Sequence, residues 1–525
     1  MGVLWSAPVG AASCTPGPHA NLTACDFHSR NLAGVDLAGA NLTRANLSGA
    51  NLSSADLTGA NLTRANLTNA NLNGAKLVRA IAAGAMVGGA HFTVADLLAV
   101  SSGGIAGVPA SLPKKWLLVK GYFVGPGARL IGANLVAAPL AGADLYVANL
   151  TNAMLDNANL AGANITSTRL GGATLAGVTS GGLVGTPVPL PANWSVVGGY
   201  LIGPGANLSG AALRLANLSA ADLVGANFTG ADLSFANLTG RNLYGANLTG
   251  TDLEAATLDG VTSGGIVGTP GLPTGFSVAN GYLIGPYLNL SGAALAGADL
   301  LTANLTGANL NGANLNAADL SGAQMTGASL VGADLVNADL ACAISYCTNL
   351  VDATVTGANL TGADLTGATA YFADFADSNF SRADLTNAQP FNATFTGTNL
   401  TGADLSGVGF GAVVSGGIVG TPALLPGNFV LVDGYLIGTS ADLSGATLAG
   451  LDLSTDDLNL ANLSGADLTN TNLSNANLAG ADLSNANLSG AQLANALLTA
   501  VTWSNTTCPD GTNSDNDTNT CVGHL

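Results

Sequence analysis

Residues 40–72 read ANLTRANLSGANLSSADLTGANLTRANLTNANL, and the rest of the chain continues this run, interrupts it or closes it off. Leu42, Leu47, Leu52, Leu57, Leu62 and Leu67 recur every five residues, with Ala40, Ala45, Ala50, Ala55, Ala60 and Ala65 two positions before each. A five-residue step turns about 140° on an α-helix, so these leucines would scatter around the cylinder and form no apolar stripe. On one continuous strand an odd step sends alternate leucines to opposite faces. The pattern is consistent only if the chain bends after each short extended piece, as along the sides of a polygon, and turns the same two residues inward each time. The chain must coil, with Leu filling the axis and Ala beside it. Asn or Asp before the Leu, and Ser, Thr, Gly or Asn after it, face outward or make the turns.

Dozens of A(D/N)Lxx units of this kind resemble the pentapeptide-repeat family. That resemblance implies an all-β fold, a right-handed quadrilateral β-helix with four pentapeptides per coil. It implies an architecture and no particular activity, because function is set by sites placed on a fold.

The Leu-centred frame runs over residues 22–97, 130–175, 208–258, 290–410 and 443–503, covering roughly 375 of the 525 residues. At about 4.8 Å between stacked strands these coils would form a rod roughly 90 Å long. Apolar residues make up 48% and charged residues 8%, a balance that looks membrane-like by hydropathy. An Asn or Asp returns at nearly every fifth position, however, and no stretch nears the ~18 uninterrupted apolar residues of a membrane span. A solenoid without a membrane span is expected.

Four interruptions are copies of one module. SGGIAGVPASLPKKWLLVKGYFVGPG starts at Ser102, SGGLVGTPVPLPANWSVVGGYLIGPG at Ser180, SGGIVGTPGLPTGFSVANGYLIGP at Ser263 and SGGIVGTPALLPGNFVLVDGYLIG at Ser415. Each has a Gly-Gly, a Leu-Pro, an aromatic (Trp116, Trp194, Phe276, Phe429) and a Gly-Tyr (Tyr122, Tyr200, Tyr282, Tyr435). Alternating apolar residues bounded by Gly and Pro predict two short strands and a turn. The expected form is a hairpin or β-arc on the side of the coil, its aromatic lying on the Val, Leu and Ile of its own second strand. The four aromatics are also candidate interaction residues, as in a glycan-binding row, although their apolar neighbours favour packing.

The expected organisation is therefore a leader or cap at 1–21, solenoid at 22–101, insert 1 at 102–127, solenoid at 128–179 and insert 2 at 180–205. Solenoid follows at 206–262, insert 3 at 263–286, solenoid at 287–414, insert 4 at 415–438, solenoid at 439–503 and a disulfide cap at 504–525. Spacing of the modules suggests a duplicated unit of about 78 residues, with one insert lost near residue 354. Just before that point the frame breaks at CAISYCTNL, where Ser345 stands in place of Leu.

Six cysteines fall into local pairs. Cys14 with Cys25 and Cys508 with Cys521 would pin caps over the ends of the coil, covering unpaired edges. Cys342 and Cys347 are read as a local disulfide, which the broken frame allows, or as inert thiols, since a metal site would need further ligands. Met1 to Ala12 is apolar but lacks a basic start and is short for a secretory leader. Three disulfides suit an oxidising compartment, so an extracellular or cell-surface location is expected. Asp510, Asp515 and Asp517 resemble a calcium loop in composition, without the EF-hand spacing.

The net charge is −18, and beyond Arg382 no Lys or Arg occurs. Some members of the resembled family mimic DNA and bind type II topoisomerases. Here the charge would be about one per 5 Å, against one per ~1.7 Å in duplex DNA, and the cysteines argue for another compartment. His19, His28, His91 and His524 are scattered and Glu254 is the single glutamate, so no catalytic set, metal cluster or cofactor fingerprint is recognisable. Thr23, Thr43 and Thr63 would stack in a column, which could order water or merely suit the turns. The functional expectation is a non-enzymatic, secreted or cell-surface repeat rod, a spacer or scaffold for an unknown protein or surface partner, without nucleic acid, cofactor or membrane span. The alternative is an acidic DNA mimic that binds a DNA-processing enzyme.

Overall fold

A computed structural model describes residues 14–516 and 518–524. The leader reading for residues 1–13 and the calcium-loop position Asp517 lie outside the described residues. Two compact units are present. The first comprises Met1–Asn237, Arg241–Ala256 and Val267–Gly271, and the second Leu238–Gly240, Thr257–Ile266 and Leu272–Leu525.

In both units the chain meets itself every 20 residues. Parallel backbone bridges join Asn21 to Asn41 and Asn41 to Asn61 in the first unit, and Asn289 to Asn309 and Asp319 to Asp339 in the second. The pentapeptide of Asn41 shows how this is held. The Asn41 N–H donates to Ala20 of the preceding coil, while Leu42 and Arg44 donate to Asn61 and Thr63 of the following one, at 2.8–2.9 Å. Ala45 closes a turn onto the Leu42 carbonyl at 3.0 Å. Arg44, the third residue of that turn, has φ 58°, as a type II turn requires.

That leaves one donor, the Thr43 N–H, which points at the side chain of Asn41 (Oδ1 at 3.2 Å). The Thr43 hydroxyl donates to the same oxygen at 2.6 Å. Asn or Asp before Leu is therefore the acceptor for the backbone donor that no carbonyl reaches. Inside, Leu42, Leu47, Leu52 and their alanines are fully buried, each leucine contributing roughly 2 kcal/mol of apolar transfer.

The expected right-handed quadrilateral β-helix is corrected by this geometry. Among the described residues the only strands belong to four two-stranded antiparallel sheets, and no sheet closes around the chain. These are β1 (Leu117–Val119) with β2 (Tyr122–Val124), β3 (Ser195–Val197) with β4 (Tyr200–Ile202), β5 (Ser277–Ala279) with β6 (Tyr282–Ile284), and β7 (Phe429–Val432) with β8 (Tyr435–Gly438). Elsewhere each pentapeptide gives a single residue to an isolated bridge. The physical reason is the turn. Two residues in five form it, one of them at positive φ, so extended backbone cannot continue past one bridged residue. The solenoid of continuous β-faces drawn from the resemblance is replaced by ladders one residue wide.

In the second unit the leucine positions change to phenylalanine at 375, 380, 395 and 410, and their rings stack edge-on or tilted with centroids 5.2–5.9 Å apart. Phe429 of insert 4 joins the end of the series at 5.3 Å from Phe410.

Replacing Asn61 by Ala removes the acceptor of the Thr63 N–H, which lies at 3.0 Å. Hydrogen exchange at the Thr63 amide is expected to accelerate about fivefold, matching a loss of about 1 kcal/mol, while Asn61→Asp retains protection. Equal exchange in the Ala variant would show that the side-chain bond contributes nothing.

Candidate interaction surfaces

Each insert first continues the coil and only then leaves it. Ala106 and Ser111 bridge to Met86 and His91 at the usual 20-residue step, whereas Ser101 to Arg129 spans 28 residues. The extra length is the hairpin. Its two-residue tip has both residues at positive φ, Lys120 with Gly121, Gly198 with Gly199, Asn280 with Gly281 and Asp433 with Gly434, the type I′ geometry that matches strand twist.

Three contacts fasten every copy. The Ser hydroxyl that opens the module accepts a backbone N–H from the second strand, Ser102 from Phe123, Ser180 from Leu201, Ser263 from Leu283 and Ser415 from Leu436. The tyrosine hydroxyl accepts an N–H twelve residues on, Tyr122 from Asn134, Tyr200 from Ala212, Tyr282 from Ala294 and Tyr435 from Thr447. The third contact is the aromatic. Trp116 and Phe429 are buried and Trp194 and Phe276 half-buried. Each ring lies over a glycine at the end of the second strand, Gly125, Gly203 and Gly285 just after it and Gly438 as its last residue, where an added Cβ would come within 3.0 Å of ring atoms. Trp116 shares one buried cluster with Phe123 and Val124 of its own second strand, and Trp194 packs against the same cluster, which includes Leu201.

The six cysteines form three disulfides, Cys14–Cys25, Cys342–Cys347 and Cys508–Cys521. At the middle pair the bridges step 25 residues, Gln324 to Asn349 and Asp339 to Asp364. One whole pentapeptide is looped out and tied at its base, and Ile344 at its tip is fully exposed. Buried Thr348 anchors the return, its hydroxyl 3.0 Å from the Leu320 carbonyl. In the tail, the Asn505 N–H donates to Asp515 at 2.7 Å, and Asp510 pairs with His524 at 2.7 Å. Thr512 donates to Asp510 through hydroxyl and backbone, and these bonds, ahead of His524, hold that carboxyl at about 2. Asp510 and Asp515 thus spend oxygens on the cap itself. Among the described residues no group of three or more His, Cys, Asp or Glu could hold a metal ion, and no helix is long and apolar enough to cross a membrane.

Thr23, Thr43 and Thr63 do stack, but each hydroxyl donates to the Asn two residues before it. One column escaped the sequence reading. Asp299, Asp319, Asp339, Asp364, Asp384 and Asp404 are successive rungs in the second unit. The visible signal was Asp recurring at 20-residue steps, interrupted by the looped-out pentapeptide.

Gly203→Ala is expected to push the Trp194 ring off its seat and shift its emission to the red, with little change at the neighbouring coil. For the tail, Asp510 is held below the usual carboxylate range in the folded chain, so its contribution is complete above pH ~4 and is lost as the pH falls towards 2. The protection factor of the Thr512 amide, the exchange rate of an unstructured amide at the same pH relative to its own, should fall across that window and stay flat from pH 5 to 7.

Similarity to known proteins agrees with the repeat frame. The family model described as pentapeptide repeats matches residues 20–97, 126–179, 205–262, 288–344, 348–410 and 461–499, more than half of the chain. Among solved structures, the chain is similar to HetL, a pentapeptide repeat protein involved in heterocyst differentiation regulation in Nostoc sp. strain PCC 7120. The identity is 22% over 70% of this chain and 90% of that one, with a TM-score of 0.11. It is also similar to a pentapeptide repeat protein of the Arabidopsis thaliana thylakoid lumen, at 30% identity over 23% of this chain and 67% of that one, with a TM-score of 0.14. A third is Rfr23 from Cyanothece 51142, at 22% identity over 35% and 91% with a TM-score of 0.12. No curated protein matches the chain. The recurring Leu, its small inward partner and the Asn or Asp between them, matched along most of its length, make this chain a member of the pentapeptide-repeat family.

Proposed function

We propose that the chain is a non-enzymatic scaffold at the cell surface or outside the cell, whose insert modules meet protein or surface partners. The observation that carries this reading is a recurring exposed apolar residue. At the module position where the frame calls for Asn or Asp, the chain places Val184, Val267 and Val419, which are 57%, 56% and 54% exposed. Each is bridged to the preceding coil, to Asn164, Asn247 and Asn399, so its backbone is held while its side chain faces out. A frame that needs only a polar side chain there gains nothing from valine, and repeated exposed apolar residues on a rigid base suit contact with a partner. The three disulfides support the compartment.

The test is expression in the native host with the natural upstream region, followed by thiol labelling without reductant and proximity labelling around the chain. Recovery outside the cytoplasm with all six cysteines unlabelled is expected. So is a set of labelled neighbours that is lost in the V184D/V267D/V419D variant while the disulfides stay intact. Free thiols in a cytoplasmic pool would overturn the location, and an unchanged neighbour set would overturn the role of the modules.

A further inference from the structure

We propose that the first unit carries a binding site for an amphipathic organic oxyanion, clamped by Arg129 and Arg169. The two arginines lie on one column, bridged through Asn149 between them, which sets their backbones roughly 9–10 Å apart, two interstrand steps. Together they border a surface cavity of about 600 Å³, whose walls include Ile131, Val147 and Val188. No carboxylate is among its lining residues.

Three observations point to a ligand. First, the guanidiniums are unengaged. Among the described residues neither has a carboxylate within salt-bridge distance, whereas Lys115 is paired with Asp144 at 2.7 Å and Lys76 with Asp56 at 3.9 Å. Arg214 likewise bonds Ser234 and lies over the Phe235 ring. Among the described residues Arg44, Arg64 and Arg79 are also without a carboxylate at that distance, so what sets Arg129 and Arg169 apart is that both line one cavity whose lining holds no carboxylate.

Second, both stand at the frame position that otherwise supplies an Asn or Asp side chain to cap a backbone N–H. The cap is forgone for Ile131 and Gly171, while Asn149 keeps it for Thr151 at 3.1 Å. Local rules given up in a repeat are where function is expected.

Third, exposed apolar side chains line the same cavity. Val188 of insert 2, 66% exposed, lines it with Ile131 and Val147, which are also exposed, beside the polar Asn149 and Ser167. A guanidinium fork recognises carboxylate, sulfate or phosphate oxygens in pairs. Two forks on a cavity that Ile131, Val147 and Val188 also line fit an anionic head on an apolar body better than a bare inorganic ion or a neutral molecule. Carboxylate and sulfate share this chemistry, and the experiment separates them.

Isothermal titration of the full chain with octyl sulfate and octanoate, both below their micellar range, is the direct test, with octan-1-ol and inorganic sulfate as controls. Saturable binding of at least one octyl anion at one site per chain is expected, with the tighter anion identifying the preferred head group. Both controls should bind at least tenfold more weakly. R129Q and R169Q should each weaken binding about tenfold, the loss of one charge-assisted contact, and V188S should weaken the octyl anions by a smaller factor. Intact disulfides and unchanged circular dichroism would show that each variant is folded. No saturable binding of either octyl anion, equal binding of octan-1-ol, or undiminished affinity in the folded R129Q/R169Q double variant would each overturn the proposal.

Discussion

Everything in this chain depends on accounting for five backbone N–H groups in each pentapeptide. Three donate to neighbouring coils and one closes the turn, as Asn41, Leu42, Arg44 and Ala45 do in the first unit. The fifth, at Thr43, has no carbonyl within reach and takes the Asn41 side chain. A backbone donor left without a partner costs on the order of 1–3 kcal/mol, and the same demand returns in every unit. The polar residue before each leucine is therefore as much a part of the backbone as of the surface, which explains why a chain with 48% apolar residues keeps a carboxamide or carboxylate at nearly every fifth position.

The same accounting limits the sheets. Because the turn recurs before extended structure can continue, coils join through single bridged residues, and true strands form only where an insert has room for a hairpin. Irregularities are tolerated when they leave this register intact. The inserts add a hairpin and return to the column they left, as Thr179 to Asn207 and Val414 to Asp442 show. The looped-out pentapeptide at Cys342–Cys347 adds one unit and returns likewise. Each exception is closed by its own fastening: a serine hydroxyl, a tyrosine hydroxyl and an aromatic on glycine for the inserts, and a disulfide with a buried threonine for the loop.

Surface chemistry is then free where the frame does not need it. Asn149 serves the frame, while Arg129 and Arg169 on the same column do not. Val184, Val267 and Val419 replace a capping side chain at equivalent module positions. Departures of this kind mark the parts of a repeat protein that its fold does not explain, and both functional readings start from them.

From the sequence alone, the five-residue period determined that the chain coils and that Leu and Ala point inward, and the shared motif determined that the four inserts are copies, each with two short strands and a turn. These are local consequences of side-chain periodicity and turn residues. Tertiary structure decided what periodicity cannot state. Whether extended pieces merge into sheets depends on backbone pairing across 20 residues, and here the turn reduces that pairing to one residue. Where Trp116 rests depends on Gly125, nine positions later, leaving space for the ring. That Asp339 and Asp364 are neighbours across the looped-out pentapeptide, or that Arg129, Arg169 and Val188 share a cavity, follows only from stacking coils whose members are 20 or more residues apart.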